Sequence, residues 1–236
     1  MQRESLIGQS TKDNTSPGKN SYLVLFLVLC ITALVFSGSM KLGWTNWDDD
    51  LYVYKNPVVK AGTLKDIFTT SGDYNMYVPL VIASFALEWK MVKDKPFLYH
   101  LDNVLLHLLC TALVLIFFRR LGLSIWWSGF AALLFGIQPM RVETVAWVTE
   151  RKELLCTFFY MAALLAYLGG NIARVREAVA KDLPGVLMIA PEGTYLLWLD
   201  FSALGLPDRE LRDKIEKKCG VWLEPGTVFG PEGSGF

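Results

Sequence analysis

The chain lacks the features that would mark a nucleic-acid binder, a metal protein or a disulfide-stapled domain. Its 23 Lys and Arg balance 23 Asp and Glu, so the formal net charge is zero and there is no basic excess to neutralise nucleic-acid phosphates. There are two histidines, His100 and His107, and four cysteines, Cys30, Cys110, Cys156 and Cys219. The cysteines are scattered, three of them within apolar runs, with no CxxC or Cys/His spacing that could hold a metal. They read as small hydrophobes. The glycine-rich stretch 225–236 contains no Gly-Lys-Ser/Thr, which excludes a phosphate loop there.

What the chain has in excess is apolar surface: 53% hydrophobic residues and a mean hydropathy of +0.33. Four runs, 22–36, 104–118, 121–137 and 154–168, read as membrane spans, each a little short of the roughly 20 residues that cross a bilayer but flanked by tolerated Ser, Gly and Trp. The first reads as an uncleaved anchor, since Ser37-Gly38-Ser39 is a weak cleavage site and further spans follow. Near Leu168 the character changes: charges recur every few residues and turn signals such as Pro191-Glu192-Gly193 separate short strands. Residues 169–236 read as a small α/β segment, with a helix at 171–181, strands at 186–189, 194–199 and 221–223, and a helix at 207–218 opened by Pro207 and closed by Gly220. Tyr195 and Trp198 read as core residues of a half-buried strand.

Arg119 and Arg120 lie in a connection too short to be a domain, which predicts a cytoplasmic position for it. It follows that the amino-terminal tail 1–20 and the carboxyl-terminal tail are cytoplasmic, while loops at about 41–97 and at 138–153 lie outside. Within the first loop Val78, Ile82, Phe85 and Trp89 recur at helical spacing after Pro79. That stretch reads either as a helix along the membrane surface or as a partner-binding amphipathic helix.

The first outer loop carries Asp48, Asp49 and Asp50 in succession beside Trp44 and Trp47. Mutual repulsion and partial desolvation would raise the pKa of at least one, making it a candidate general base; the plainer reading is a solvated acidic loop. The second loop places Arg141, Arg151 and Lys152 against the positive-inside tendency, a cost offset if they bind an anion such as a lipid phosphate. The alternative is local ion pairing with Glu143, Glu150 and Glu153. His100 and His107, seven apart, would share a helix face and on their own read as packed histidines.

WDDDLYVYKNPVV, IFTTSGDYNMYVPLVIASFALE, YHLDNVLLHLLCTALVLIFFRRLG and FGIQPMRVETVAWVTERKELL together resemble, in order, the amino-terminal membrane region of transmembrane TPR-containing proteins. These are GT-C-class glycosyltransferases related to protein O-mannosyltransferases. The resemblance, over residues 22–168, implies a polyprenyl-phosphate sugar donor, a protein hydroxyl acceptor and a base among Asp48, Asp49 and Asp50. It also implies substrate or lipid-phosphate roles for Arg141, Glu143, Glu150, Arg151 and Lys152, and for His100, Asn103 and His107 at the second span. The chain departs from the family in having Gln138-Pro139 where His-Pro is common.

GGNIARVREAVAKDLPGV, PEGTYLLWLDFSALGL and GVWLEPGTVFGPEGSGF, over 169–236, resemble the small domain of fold-type I pyridoxal-phosphate-dependent carbon-sulfur lyases of the cystathionine β-lyase kind. The lysine that family uses lies in a domain not represented here, and Lys181, Lys214, Lys217 and Lys218 read as solvated helix positions. No cofactor is therefore expected. The expected fold is an α-helical multi-pass membrane region of about four spans, GT-C-like and incomplete, followed by a small, incomplete α/β segment: a fusion of two fragments. The expected function is that of a membrane glycosyltransferase fragment, inactive as this truncated fusion. The alternatives are a carbon-sulfur lyase fragment and a noncatalytic membrane protein. The bacterial inner membrane or an ER-like membrane is the expected location, with the lipid bilayer as partner.

Overall fold

The computed structural model describes residues 19–69, 76–189, 197–218 and 220–235. The chain divides into two compact units, Met1–Arg119 with Leu123–Ala162, and Arg120–Gly122 with Ala163–Phe236.

The first apolar run forms α1 (Lys19–Phe36), continued by a 3-10 turn at Ser37–Lys41. A single π-turn, Asp50–Tyr54, then leads through α2 (Pro57–Ala61) and α3 (Leu64–Thr69) to α4 (Pro79–Val92). Asn56 caps α2 by accepting from the Val58 and Val59 amides, and Gly62 closes it at a φ of +61°. Then follow α5 (Phe97–Arg120), α6 (Ile125–Ile137), α7 (Arg141–Ala146), a 3-10 turn at Val148–Glu150, and α8 (Arg151–Asp182).

Among the described residues, three helical stretches are long and apolar enough to cross a membrane: Lys19–Lys41, Phe97–Arg120 and Val148–Asp182. The run expected as a further span at 121–137 forms only the 13-residue α6, about 20 Å long against a hydrocarbon core of about 30 Å. The reason is local: Gly122 turns the chain at a φ of +94°, and Ser124 Oγ accepts from the Trp127 amide at 3.4 Å to start a new helix.

Glycines let α6 approach α1 closely, the way small residues bring membrane helices together. A Cβ on Gly136 would stand 2.5 Å from Thr32 Oγ1 and 3.2 Å from Thr111 Cγ2. Gly136→Leu is therefore expected to force α6 away and cost about 1–3 kcal/mol, read as a lower unfolding temperature in detergent.

Among the described residues, the first unit has a buried cluster of Val53, Val59, Val81, Phe85, Tyr99 and Val148 beneath the first loop and another of Phe36, Val104, Val145 and Leu154 between the long helices. The helix expected near 77–92 is α4, but the face chosen from its spacing turns inward. Phe85 is fully buried, and Val78, Ile82 and Trp89 pack against the first cluster.

In the second unit the helix expected at 171–181 is the continuation of α8. An antiparallel hairpin pairs β1 (Leu187–Ile189) with β2 (Trp198–Asp200), Met188 opposite Leu199. The strand expected at 194–199 begins outside the described residues, as do Tyr195 and the 191–193 turn. The helix expected at 207–218 is α9 (Asp208–Asp213) followed by a π-turn at Lys214–Lys218. Residues 221–223 form no strand; the Val221 amide donates instead to the Ile215 carbonyl at 3.4 Å. Asp208 secures the end of the chain, accepting from Ser234 Oγ and the Gly235 amide, both at 3.0 Å.

Candidate functional site

The three consecutive aspartates have three different environments. Asp49 is buried, and its Oδ2 accepts from the Thr45 amide at 2.8 Å and Thr45 Oγ1 at 2.9 Å. Its Oδ1 accepts from Thr149 Oγ1 at 3.2 Å, a bond across 100 residues that fastens the first loop to the second. Trp47 and Trp147 repeat that junction at the surface, their rings edge-on at 5.0 Å. Asp50 pairs with Lys55 at 2.9 Å, and that contact holds its carboxyl below the ordinary value, so Asp50 is not a member of the run with a raised pKa. Asp48 is half-buried and makes no side-chain hydrogen bond or ion pair among the described residues.

Behind this junction lies Arg151, buried at the start of α8. Nε donates to Asn103 Oδ1 at 2.8 Å; Nη1 donates to Ser84 Oγ at 2.9 Å and Glu88 Oε2 at 2.5 Å; Nη2 donates to Glu88 Oε1 and the Tyr99 carbonyl, both at 2.9 Å. The guanidinium also lies 4.6 Å over the Phe85 ring. All five N–H groups are engaged, so an anion could reach Arg151 only by displacing one of these partners. Burial pushes the Glu88 carboxyl up to about 7, outweighing the guanidinium that holds it, and Asp102 adds to the rise.

Asn103, buried on α5, uses Nδ2 to bind the carbonyls of Trp147 at 3.1 Å, Val148 at 3.3 Å and Val145 at 3.5 Å, and so shapes the second loop. His100 and His107 are both buried. Nε2 of His107 lies 2.8 Å from the Gly136 carbonyl and that of His100 lies 3.4 Å from the Gly43 carbonyl. A carbonyl only accepts, so Nε2 carries the proton in both. Their Nδ1 atoms are buried without a partner among the described residues.

The remaining second-loop residues separate. Lys152 pairs with Glu150 at 2.7 Å, in keeping with the alternative of local ion pairing for this residue. Glu143 is exposed. Arg141 is half-buried, stacked 4.5 Å over Phe135, with its Nε buried and without a hydrogen-bond partner among the described residues, and no acid paired to it. Among the described residues no three His, Cys, Asp or Glu side chains are grouped to hold a metal ion.

Glu88, Ser84, Thr45 and Thr149 escaped the sequence reading. Glu88 had a signal: it shares an α4 face with Val81 and Phe85, and a lone carboxylate on an apolar face calls for a buried cation. The two threonines and Ser84 had none.

With this geometry in place, comparison with known proteins places the chain. No family model and no solved structure matches it. Curated relatives do. The protein O-mannosyl-transferase Tmtc2 of Drosophila melanogaster is 37% identical over 154 residues, covering 60% of this chain and 16% of the relative. The mouse protein O-mannosyl-transferase TMTC3 is 30% identical over 151 residues, with the same two shares. The cystathionine beta-lyase PatB of Bacillus subtilis is 44% identical over 77 residues, 33% of this chain and 20% of that enzyme. The likeness is in two parts. The chain thus spans a fifth or less of the length of these relatives, and its larger part is similar to a segment of the protein O-mannosyl-transferases.

Pyridoxal phosphate needs an activated lysine and a cradle for its phosphate, and the second unit is the place to seek them. It holds a cavity of about 300 Å³ walled by Trp198, Leu211, Ile215 and Trp222, with Asp208, Arg212, Glu216 and Glu224 as its charged lining and no lysine. Lys214 pairs with Glu210 and Lys217 with Asp213, both at 3.0 Å on the surface, while Lys181 and Lys218 are exposed. These residues do not fit the cofactor.

Proposed function

We propose that residues 21–168 are the opening segment of a GT-C-type transferase that, when complete, moves a sugar from a polyprenyl-phosphate donor to a protein hydroxyl, and that this fusion does not turn over. The observation carrying the proposal is the Asp49–Thr149 bond, which fastens the first outer loop to the second. Asp48, half-buried and unpaired, takes the acceptor's proton as the sugar–phosphate bond breaks. Asp49 holds the loops together. Arg141, without an acid partner among the described residues, offsets the charge developing on the departing phosphate, and Lys152, Glu143 and Glu150 of the same loop are proposed to complete the phosphate site. His100, Asn103 and His107 hold the backbone beneath. The test is transfer from a polyprenyl-phosphate sugar to a protein acceptor by this chain and by one extended with the remaining spans of a relative. Activity in the extended chain alone supports the proposal; activity in neither removes it.

The same reading puts both termini on the cytoplasmic side and both loops opposite. It is supported by α6, which, though short, returns the chain from the far end of α5 to the loop that Asp49 binds. Single cysteines at Lys55, Glu143 and Lys217, all exposed, are expected to label Lys55 and Glu143 from one side of sealed vesicles and Lys217 from the other. Labelling of all three from one side would refute this arrangement.

For residues 169–236 the proposal is a lyase-derived segment that binds no pyridoxal phosphate. Aldimine formation needs an activated lysine, and the lysines here are paired or solvated at the surface. Incubation with the cofactor followed by borohydride is expected to leave no tail lysine modified; a modified tail lysine found by mass spectrometry would overturn it.

A further inference from the structure

Helix α4 has two apolar faces, and packing within the first unit uses one. Val81, Phe85 and Ala86 are buried. Leu80, Leu87 and Met91, spaced by seven and four and so on one face, are 51, 64 and 68% exposed. On the neighbouring α3, Leu64 and Phe68, one turn apart, are 73 and 48% exposed. Tyr77, also exposed, ties these helices together by donating from Oη to the Phe68 carbonyl at 2.9 Å. A helix that is apolar all round is ordinarily a covered one, and several large apolar side chains exposed on two neighbouring helices mark a surface that meets something.

Its position says what it meets. Glu88 binds Arg151, the first residue of α8, and Phe85 packs against Tyr99, near the start of α5, with 6.1 Å between ring centroids. Tyr99 Oη donates to the Lys93 carbonyl at 2.8 Å, locking the turn between α4 and α5. The helix is therefore pinned to the starts of two membrane-length helices, at the depth where hydrocarbon gives way to headgroups. The same stretch carries exposed Lys60, Lys65, Lys90, Lys93 and Lys95. Lys60 Nζ lies 5.4 Å over the Trp89 ring and Lys90 Nζ donates to the Gly62 carbonyl at 3.3 Å, while the other three make no side-chain hydrogen bond or ion pair among the described residues. The acids of the same stretch are Asp66, Asp94 and, outside the described residues, Asp73, together with the buried Glu88. Lysines at such a rim lay their stems on apolar surface and carry their charge to anionic headgroups.

We infer that α3 and α4 form a lipid-seated platform, with Leu80, Leu87, Met91, Leu64 and Phe68 in the outer acyl region of one leaflet and the lysine rim on anionic headgroups. The platform's inner face carries Glu88 to Arg151, so lipid contact bears on the network behind the acidic loop. The inference concerns the membrane unit and does not rest on the transferase reading.

The test uses the full chain with Cys30, Cys110, Cys156 and Cys219 replaced by alanine, reconstituted in vesicles of phosphatidylcholine with phosphatidylglycerol. Nitroxides are attached at Leu87→Cys, at Met91→Cys and, as an aqueous reference, at Lys55→Cys. Both α4 labels are expected to be severalfold more accessible to oxygen, relative to a water-soluble nickel chelate, than the label at position 55. Replacing Lys90, Lys93 and Lys95 by glutamine is expected to lower that ratio in anionic vesicles. Nickel accessibility at 87 and 91 equal to that at 55 would overturn the inference. So would dipolar broadening between labels at 87 that disappears on dilution with unlabelled chain, which would make a second copy the occupant.

Discussion

Arg151→Ala is expected to cost about 3–5 kcal/mol, because breaking a buried ion pair strands its partner groups. Removal leaves Ser84, Asn103 Oδ1 and the Tyr99 carbonyl without their donor and opens a void over Phe85. Glu88 loses the contact that lowers its pKa and keeps its proton at neutral pH. Arg151→Lys should rescue little, since an ammonium cannot occupy a planar fork of five donors. The measurement is unfolding in detergent, and equal stability of Arg151→Ala and the parent would show that the network is not a structural support. The pH dependence has a defined sign. The folded carboxyl near 7 lies above its reference value of 4.5, so the folded state holds the proton more tightly. Its stabilising contribution is full below about 4.5 and is lost as the pH rises toward 7. Glu88→Gln should flatten the stability profile across that interval; a profile unchanged by the substitution would exclude Glu88 as its source.

In a chain extended to activity, Asp48→Asn is expected to lower kcat by roughly 10²–10⁴-fold while leaving donor affinity nearly unchanged, the pattern for a base acting in the transition state. Asp49→Ala should act differently. With the Thr45 and Thr149 bonds gone, the loops lose their buried tie, so faster amide exchange at 45–50 should accompany the loss of rate. Arg141→Ala should weaken donor binding as well as turnover, because a phosphate contact exists before the bond breaks. An Asp48→Asn enzyme with parental kcat would remove that residue from the chemistry.

The long helices were legible in composition because a run of apolar residues requires no partner to declare itself. The length of α6 was not: its limits come from the Gly122 turn and the Ser124 cap, which a hydropathy reading passes over. The inward face of α4 could not be chosen either, since both of its sides are apolar and periodicity alone does not say which meets protein. At the candidate site the aspartates and the second-loop arginines stood out by type and order. Their division of labour depends on partners distant in sequence, Thr149 for Asp49 and Glu88 for Arg151, and spacing within a loop carries no information about those.

Helix α8 runs unbroken through Gly169 and Gly170, and no atom outside their immediate chain neighbourhood lies within 4 Å of a Cβ placed on either. Neither glycine is required there by a turn or by close packing. Each sacrifices about 0.5–1 kcal/mol of helical preference relative to alanine. The rod is thus held at this point by its own backbone hydrogen bonds, with little side-chain buttressing, and its amides there should open to solvent more often than those a few turns earlier. Such a segment can tolerate new material spliced beside it, because there is little packing for the insertion to disturb.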